Sequence, residues 1–136
     1  MGKTLLIGSC EPFSGKSALV LGLARQIIST NRFVRFGKPI ATSLEIDNDE
    51  KGSKALILDD DVRFVGSILD LPEDHLIPSV ACLSSSTADE RLSKSDLEPG
   101  DGFKSLRKII DQPFDGINIL EAAGSLHEGL LYGLSL

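Results

Sequence analysis

The chain has 136 residues, with 14 Lys and Arg against 20 Asp and Glu, a formal charge of −6, and 41% hydrophobic residues. Such a composition predicts one globular domain over residues 1–136 and excludes a low-complexity or fibrous chain. The negative balance argues against nucleic-acid and membrane-surface partners, yet leaves room for one local positive pocket that holds a small anion.

Near the N-terminus only Leu5-Leu6-Ile7 forms an apolar run, too short for a signal-peptide core or a membrane span. Cys10 and Cys82 stand in unrelated contexts without disulfide or metal-ligand spacing. A soluble, cytoplasmic chain in a reducing compartment is therefore expected. The Leu5-Leu6-Ile7 run, stopped by Gly8-Ser9, reads as a strand buried on both faces of a parallel sheet. From Ser17 the period changes. Leu19, Val20, Leu23, Ala24, Ile27 and Ile28 recur at helical spacing, and Asn31 marks the stop. Phe33-Val34-Arg35-Phe36-Gly37 reads as a second strand that ends before Pro39. Residues 42–61 are acidic and polar. Val62, Val65, Ile68 and Leu69 predict a two-turn helix closed by Leu71-Pro72. Ser79 to Leu83 is too weakly patterned to assign.

Residues 84–102 hold few apolar positions and read as a mobile loop, with a helical turn open around residues 88–92. Phe103, Leu106, Ile109 and Ile110 mark a third helix. Pro113-Phe114-Asp115-Gly116 is a turn, and Ile117-Asn118-Ile119-Leu120 a third strand ending in Glu121-Ala122-Ala123-Gly124. Strand, helix, strand, helices, strand is the order of an α/β protein with a parallel sheet flanked by helices. Three strands make a narrow sheet, so the chain reads as the front part of a larger domain or as a piece that needs a partner.

The chemical signal is the segment Gly8-Ser9-Cys10-Glu11-Pro12-Phe13-Ser14-Gly15-Lys16-Ser17, set between a predicted strand and a predicted helix. This is the context of a phosphate-binding loop. Backbone N–H groups of Ser14, Gly15, Lys16, Ser17 and Ala18 would converge at the helix N-terminus, where the helix dipole adds positive potential. Lys16 would reach β- and γ-phosphate oxygens, and the Ser17 hydroxyl would ligate Mg²⁺. The spacing departs from the common pattern, because Cys10 stands where a glycine is usual. Glu121 sits at the carboxyl end of a strand, where ligands of open α/β sheets gather, and can hold Mg²⁺ directly or through water. Asp61, last of Asp59-Asp60-Asp61, is a further metal candidate, although acids at a helix start also serve as caps. Lys38, in Gly37-Lys38-Pro39, would face the same pocket from the end of the second strand. His75 and His127 read as surface residues. Cys82 reads as a small buried apolar residue. Cys10 lies near a helix N-terminus, where a thiol pKa can fall.

Four segments in order resemble the dethiobiotin synthetase family and the related cobyrinic acid a,c-diamide synthases. They are Gly15-Lys16-Ser17 after a strand, Gly37-Lys38-Pro39-Ile40-Ala41-Thr42, Asp61 before a helix, and Phe114-Asp115-Gly116-Ile117-Asn118-Ile119-Leu120-Glu121-Ala122-Ala123-Gly124. With Glu11-Pro12-Phe13-Ser14 and Glu128-Gly129-Leu130, the flavour is nearest the N-terminal domain of phosphotransacetylase-type proteins. The resemblance implies a P-loop three-layer α/β fold with a partial parallel sheet, ATP and Mg²⁺ as cofactors, and a homodimer or attachment to a larger chain. It implies that Lys16 and Lys38 are catalytic, that Ser17, Asp61 and Glu121 bind the metal, and that a small carboxylate or carbamate is phosphorylated in a ligase-type reaction. Two departures stand out: Pro12 replaces a threonine, removing a hydroxyl and an N–H donor, and Ala122 replaces a glycine. An ATP-dependent ligase-type enzyme, a nucleotide-sensing regulatory domain and a fold that has lost its ligand therefore remain open at this level.

Overall fold

The computed structural model describes residues 3–43, 57–82, 84, 89–90, 93 and 101–125. In chain order the elements are β1 (Lys3–Ile7), α1 (Lys16–Ser29), β2 (Phe33–Gly37), β3 (Ile40–Ala41), α2 (Asp60–Ile68), a 3₁₀ turn (Glu73–His75), β4 (Leu76–Ile77), β5 (Ala81–Cys82), α3 (Asp101–Ile110) and β6 (Gly116–Glu121). The chain is α/β. β1, β6, β2 and β4 lie side by side in one parallel sheet, and β3 pairs with β5 in a second, two-stranded one.

The local reasons are visible in the sequence. Asn31 ends α1 in the left-handed conformation (φ 58°), with its N–H on the Ile28 carbonyl at 2.9 Å. Asparagine tolerates that region better than most residues. α2 starts on Asp59, whose side chain accepts the Asp61 N–H at 2.9 Å, and Asp60 and Asp61 complement the helix dipole. Val20 and Ala24 of α1 and Val62 and Val65 of α2 pack on Ile7, Val34, Phe36 and Ile119 from one side of the sheet. Leu106 of α3 packs with Ile77 and Leu120 in a second cluster. Helices on both faces are consistent with three layers. Each fully buried aliphatic or aromatic side chain contributes about 1.5–3 kcal/mol. Gly37 permits β4 to pair closely: a Cβ there would come within 2.5 Å of the Ile77 Cβ.

Three expectations need correction. The sheet has a further strand, β4, two residues long and thus too short to leave a periodic signal. β1 is not buried on both faces. In the described sheet it pairs on one side only, with β6, and Leu5 and Leu6 are 39% and 38% exposed. His75 is half-buried, its Nδ1 2.9 Å from the Val34 carbonyl and its ring edge-on to Phe33 and Phe114. Cys82, in β5, is partly buried, and Cys10 is exposed with a free thiol. Most of the predicted loop 84–102, with His127 and residues 128–130, lies outside the described residues. Within that loop Asp89, Glu90 and Ser93 are helical and residues 101–102 open α3. Among the described residues no helix is long and apolar enough to cross a membrane.

Candidate functional site

β6, the last in sequence of the described strands, inserts between β1 and β2, and all three run parallel. In register, Ile7 faces Glu121 and Gly37 faces Leu120. The segments that leave the carboxyl ends of β1, β2 and β6 therefore emerge side by side. They carry Lys16, Lys38 and Glu121 into one cleft of about 680 Å³, lined by Pro12, Phe13, Ser14, Gly15, Lys16, Ser17, Lys38, Thr42, Ser43, Asp61, Glu121 and Gly124. This is the end of an open parallel sheet at which ligands gather.

Residues 12–17 form one wall. Gly15 is the N-cap of α1 at φ 85°, a conformation that glycine adopts without cost. No side chain caps the helix, and its first N–H groups have no partner within it. Ser9 Oγ donates to the Glu11 carbonyl at 2.6 Å and also lies 3.2 Å from the Gly124 carbonyl. Lys16 Nζ donates to Ser9 Oγ at 2.9 Å and, in a short contact, to the Gly124 carbonyl. Both partners are neutral, so no carboxylate is paired with this ammonium among the described residues. Phe13 stands at the rim, fully exposed and at φ 55°.

Glu121 forms the floor. It is buried, and Ser17 Oγ donates to its Oε1 at 3.0 Å. Its Oε2 is buried without a hydrogen-bond partner among the described residues. Burial raises the Glu121 pKa above the ordinary 4.5. The Ser17 hydrogen bond and the Lys38 charge pull it down, Asp61 pushes it up, and Lys16 pulls it down.

The opposite wall is an ion-pair network. Lys38 is buried, and its Nζ lies 2.6 Å from Thr42 Oγ1, 2.7 Å from Asp61 Oδ2 and 3.5 Å from Asp59 Oδ1. Asp59 is fully buried and is held by the N–H groups of Thr42 (2.7 Å), Ser43 (3.1 Å) and Asp61 (2.9 Å). Ser79 Oγ donates to the Lys38 carbonyl at 2.6 Å and fixes the backbone. Burial alone would lower the Lys38 pKa. The Asp61 hydrogen bond, with the charges of Asp59, Asp61 and Glu121, more than offsets that and holds it above 10.5.

Of the residues expected at the site, Ser14, Gly15, Lys16, Ser17, Lys38, Asp61 and Glu121 meet around this cleft, while Ala18 lies in the first turn of α1 and does not line it. Within the expected metal set, Ser17 and Glu121 touch, whereas Asp61 is turned onto Lys38. Among the described residues no three His, Cys, Asp or Glu side chains cluster so as to hold a metal ion. Asp59, Thr42 and Gly124 are the participants that the motif left unnamed. Asp59 carries a local signal, a capping acid ahead of Asp60-Asp61. The Gly124 carbonyl carries none, since backbone is invisible in a side-chain pattern. No protein-family model matches the chain, and no curated protein matches it either.

Proposed function

We propose that the cleft binds the phosphate chain of a nucleotide, ATP with Mg²⁺, and that the three-layer fold is of the P-loop kind. The observation that carries this reading is Lys16. It is a half-buried ammonium beside an uncapped helix N-terminus, and its partners are one hydroxyl and one carbonyl. An anion entering there gains a charge-assisted hydrogen bond and several main-chain donors without breaking an ion pair. Mg²⁺ fits the neighbouring donors, because the Glu121 carboxylate, with Oε1 on the Ser17 hydroxyl and Oε2 without a hydrogen-bond partner among the described residues, and that hydroxyl are hard oxygen ligands. When bound, the ion would neutralise charge on the β- and γ-phosphate oxygens.

Calorimetric titration of the chain with ATP, with and without Mg²⁺, tests the proposal. Lys16→Ala is expected to weaken affinity at least tenfold, about 1.4 kcal/mol. Equal affinity in the variant would remove the loop from the site.

Beyond binding, two readings differ at Lys38. A ligase-type enzyme that phosphorylates a carboxylate or carbamate needs a second cation free to meet transition-state charge. Here Lys38 is neutralised by Asp59 and Asp61, which favours a nucleotide-sensing regulatory domain that turns over little. Phosphate release in the presence of a panel of small carboxylates decides between them: sustained release would restore the enzymatic reading.

A further inference from the structure

β1, β6 and β2 run parallel, so their amino ends gather at the end of the sheet opposite the Lys16 cleft. In register, Lys3 faces Ile117 and Phe33 faces Gly116. That alignment brings together Lys3, Arg32 just ahead of β2, and Phe114-Asp115 from the turn ahead of β6. With Gly116 and Ile117 they line a second cavity of about 350 Å³. We infer that this cavity is a binding site for a small phosphorylated polyol of the sugar-phosphate class, separate from the cleft at the carboxyl ends of the strands.

Charge selects the anion. The chain carries −6 overall, yet two cations, Lys3 and Arg32, line this cavity against one carboxylate, Asp115. All three side chains belong to exposed residues, and none of them makes an ion pair among the described residues. A phosphate entering there meets both cations without breaking an existing pair. Arg35 is not among the lining residues, but its guanidinium carbon lies 4.1 Å from the ring centroid of Phe114, which is. The Arg35 Nε and Nη1 are buried without a hydrogen-bond partner among the described residues. That charge therefore adds to the positive potential around the cavity, and half-buried surroundings screen it less than water does.

Asp115 and Phe114 select what the phosphate is attached to. An exposed carboxylate repels a bare anion and accepts hydrogen bonds from hydroxyl groups, so it favours a ligand that carries O–H donors. The Phe114 ring gives the carbon skeleton an apolar surface. His75 holds that ring edge-on at 5.3 Å between centroids, and is itself anchored through Nδ1 to the Val34 carbonyl. The cavity volume lies at the lower end of the range for small-molecule sites, about 300–1,000 Å³. Phosphate, hydroxyls and carbon skeleton each find a matching group.

The test follows the amide NMR signals of Gly116 and Ile117 while glucose 6-phosphate or ribose 5-phosphate is titrated into the chain, with inorganic phosphate and glucose as comparison probes. Affinity read at these two amides belongs to this cavity, whatever the Lys16 cleft does. Both sugar phosphates are expected to shift them and to bind about tenfold more tightly than phosphate alone. Arg32→Gln and Lys3→Gln change exposed side chains, and each should weaken sugar-phosphate binding about fivefold. Asp115→Ala should bring sugar phosphate and phosphate to within about twofold of each other, because the hydroxyl acceptor and the repulsion are lost together. Ligand-free melting curves verify that each variant folds. Absence of any shift at Gly116 and Ile117 with either sugar phosphate at about 10 mM would overturn the inference. So would equal affinity in wild type, Arg32→Gln and Lys3→Gln. Binding of glucose as tight as that of glucose 6-phosphate would overturn the anion assignment and the proposal with it.

Discussion

The cleft has two walls, each built around a lysine, and the two lysines differ in what holds them. Lys16 rests on a hydroxyl and a carbonyl. Lys38 is clasped by two carboxyl groups and a hydroxyl. A neutral clasp positions an ammonium and leaves its charge to be used, whereas an ionic clasp consumes that charge in holding the fold. The motif surrounding each residue marks both as ligand-facing. On the proposed reading, counter-charge, not location, separates the lysine that would receive an anion from the brace.

The largest effect is expected at the brace. Asp59→Ala leaves Lys38 without its buried partner and three N–H groups without an acceptor, which should destabilise the chain by about 3–5 kcal/mol in urea unfolding. A loss below about 1 kcal/mol, the range of an exposed pair, would show that the ionic wall is not structural and the contrast would fail. The elevated Lys38 pKa has a defined sign here. Stability from the pair is complete at neutral pH and is lost only as pH rises beyond 10.5 through the folded value.

Next comes Lys16, the proposed anion contact. Lys16→Ala should lower nucleotide affinity at least tenfold while shifting ligand-free stability by about 1 kcal/mol or less, since it breaks only bonds to neutral acceptors. Melting curves with and without Mg-ATP read both quantities at once. A large ligand-free loss would make Lys16 a second brace.

Glu121→Gln probes the contrast through pH. The Glu121 pKa is raised in the fold, so the folded chain holds that proton more firmly than the unfolded one. Stability therefore falls as pH climbs from 4.5 through the folded value. Removing the charge should leave ligand-free stability at neutral pH equal to or above wild type, with the difference closing in acid. The response to Mg²⁺ should be abolished at the same time. A melting temperature that drops at neutral pH would assign Glu121 to the brace instead of the site.

The smallest effect concerns the rim. Phe13 is exposed and holds a positive φ that glycine adopts freely. Phe13→Gly should stabilise the ligand-free chain by up to about 1 kcal/mol, net of the greater freedom that glycine gives the unfolded state. Loss of stability on thermal melting would mean that the ring has contacts that hold the loop.

Elements with local signals were legible in the order of residues alone. The helical spacing from Leu19 to Ile28 made α1, and Asn31 stopped it. The runs at residues 33–37 and 117–120 made β2 and β6, because both lie inside a parallel sheet and are apolar for that reason. Lys16, Ser17 and Glu121 were legible because a glycine-bearing turn between strand and helix and an acid at a strand end are patterns with a mechanism. Packing in three dimensions settled everything that depends on who stands next to whom. β4 is two residues long and exists as a strand because β2 offers it an edge. β1 is half-exposed because the order β1-β6-β2-β4 of the described sheet leaves it at the margin, which periodicity within one segment does not encode. Asp61 and Lys38, 23 residues apart, carry the same charges in any conformation. Their union depends on where α2 begins relative to β2, since an ion pair is a property of distance, and distance across the chain is set by packing.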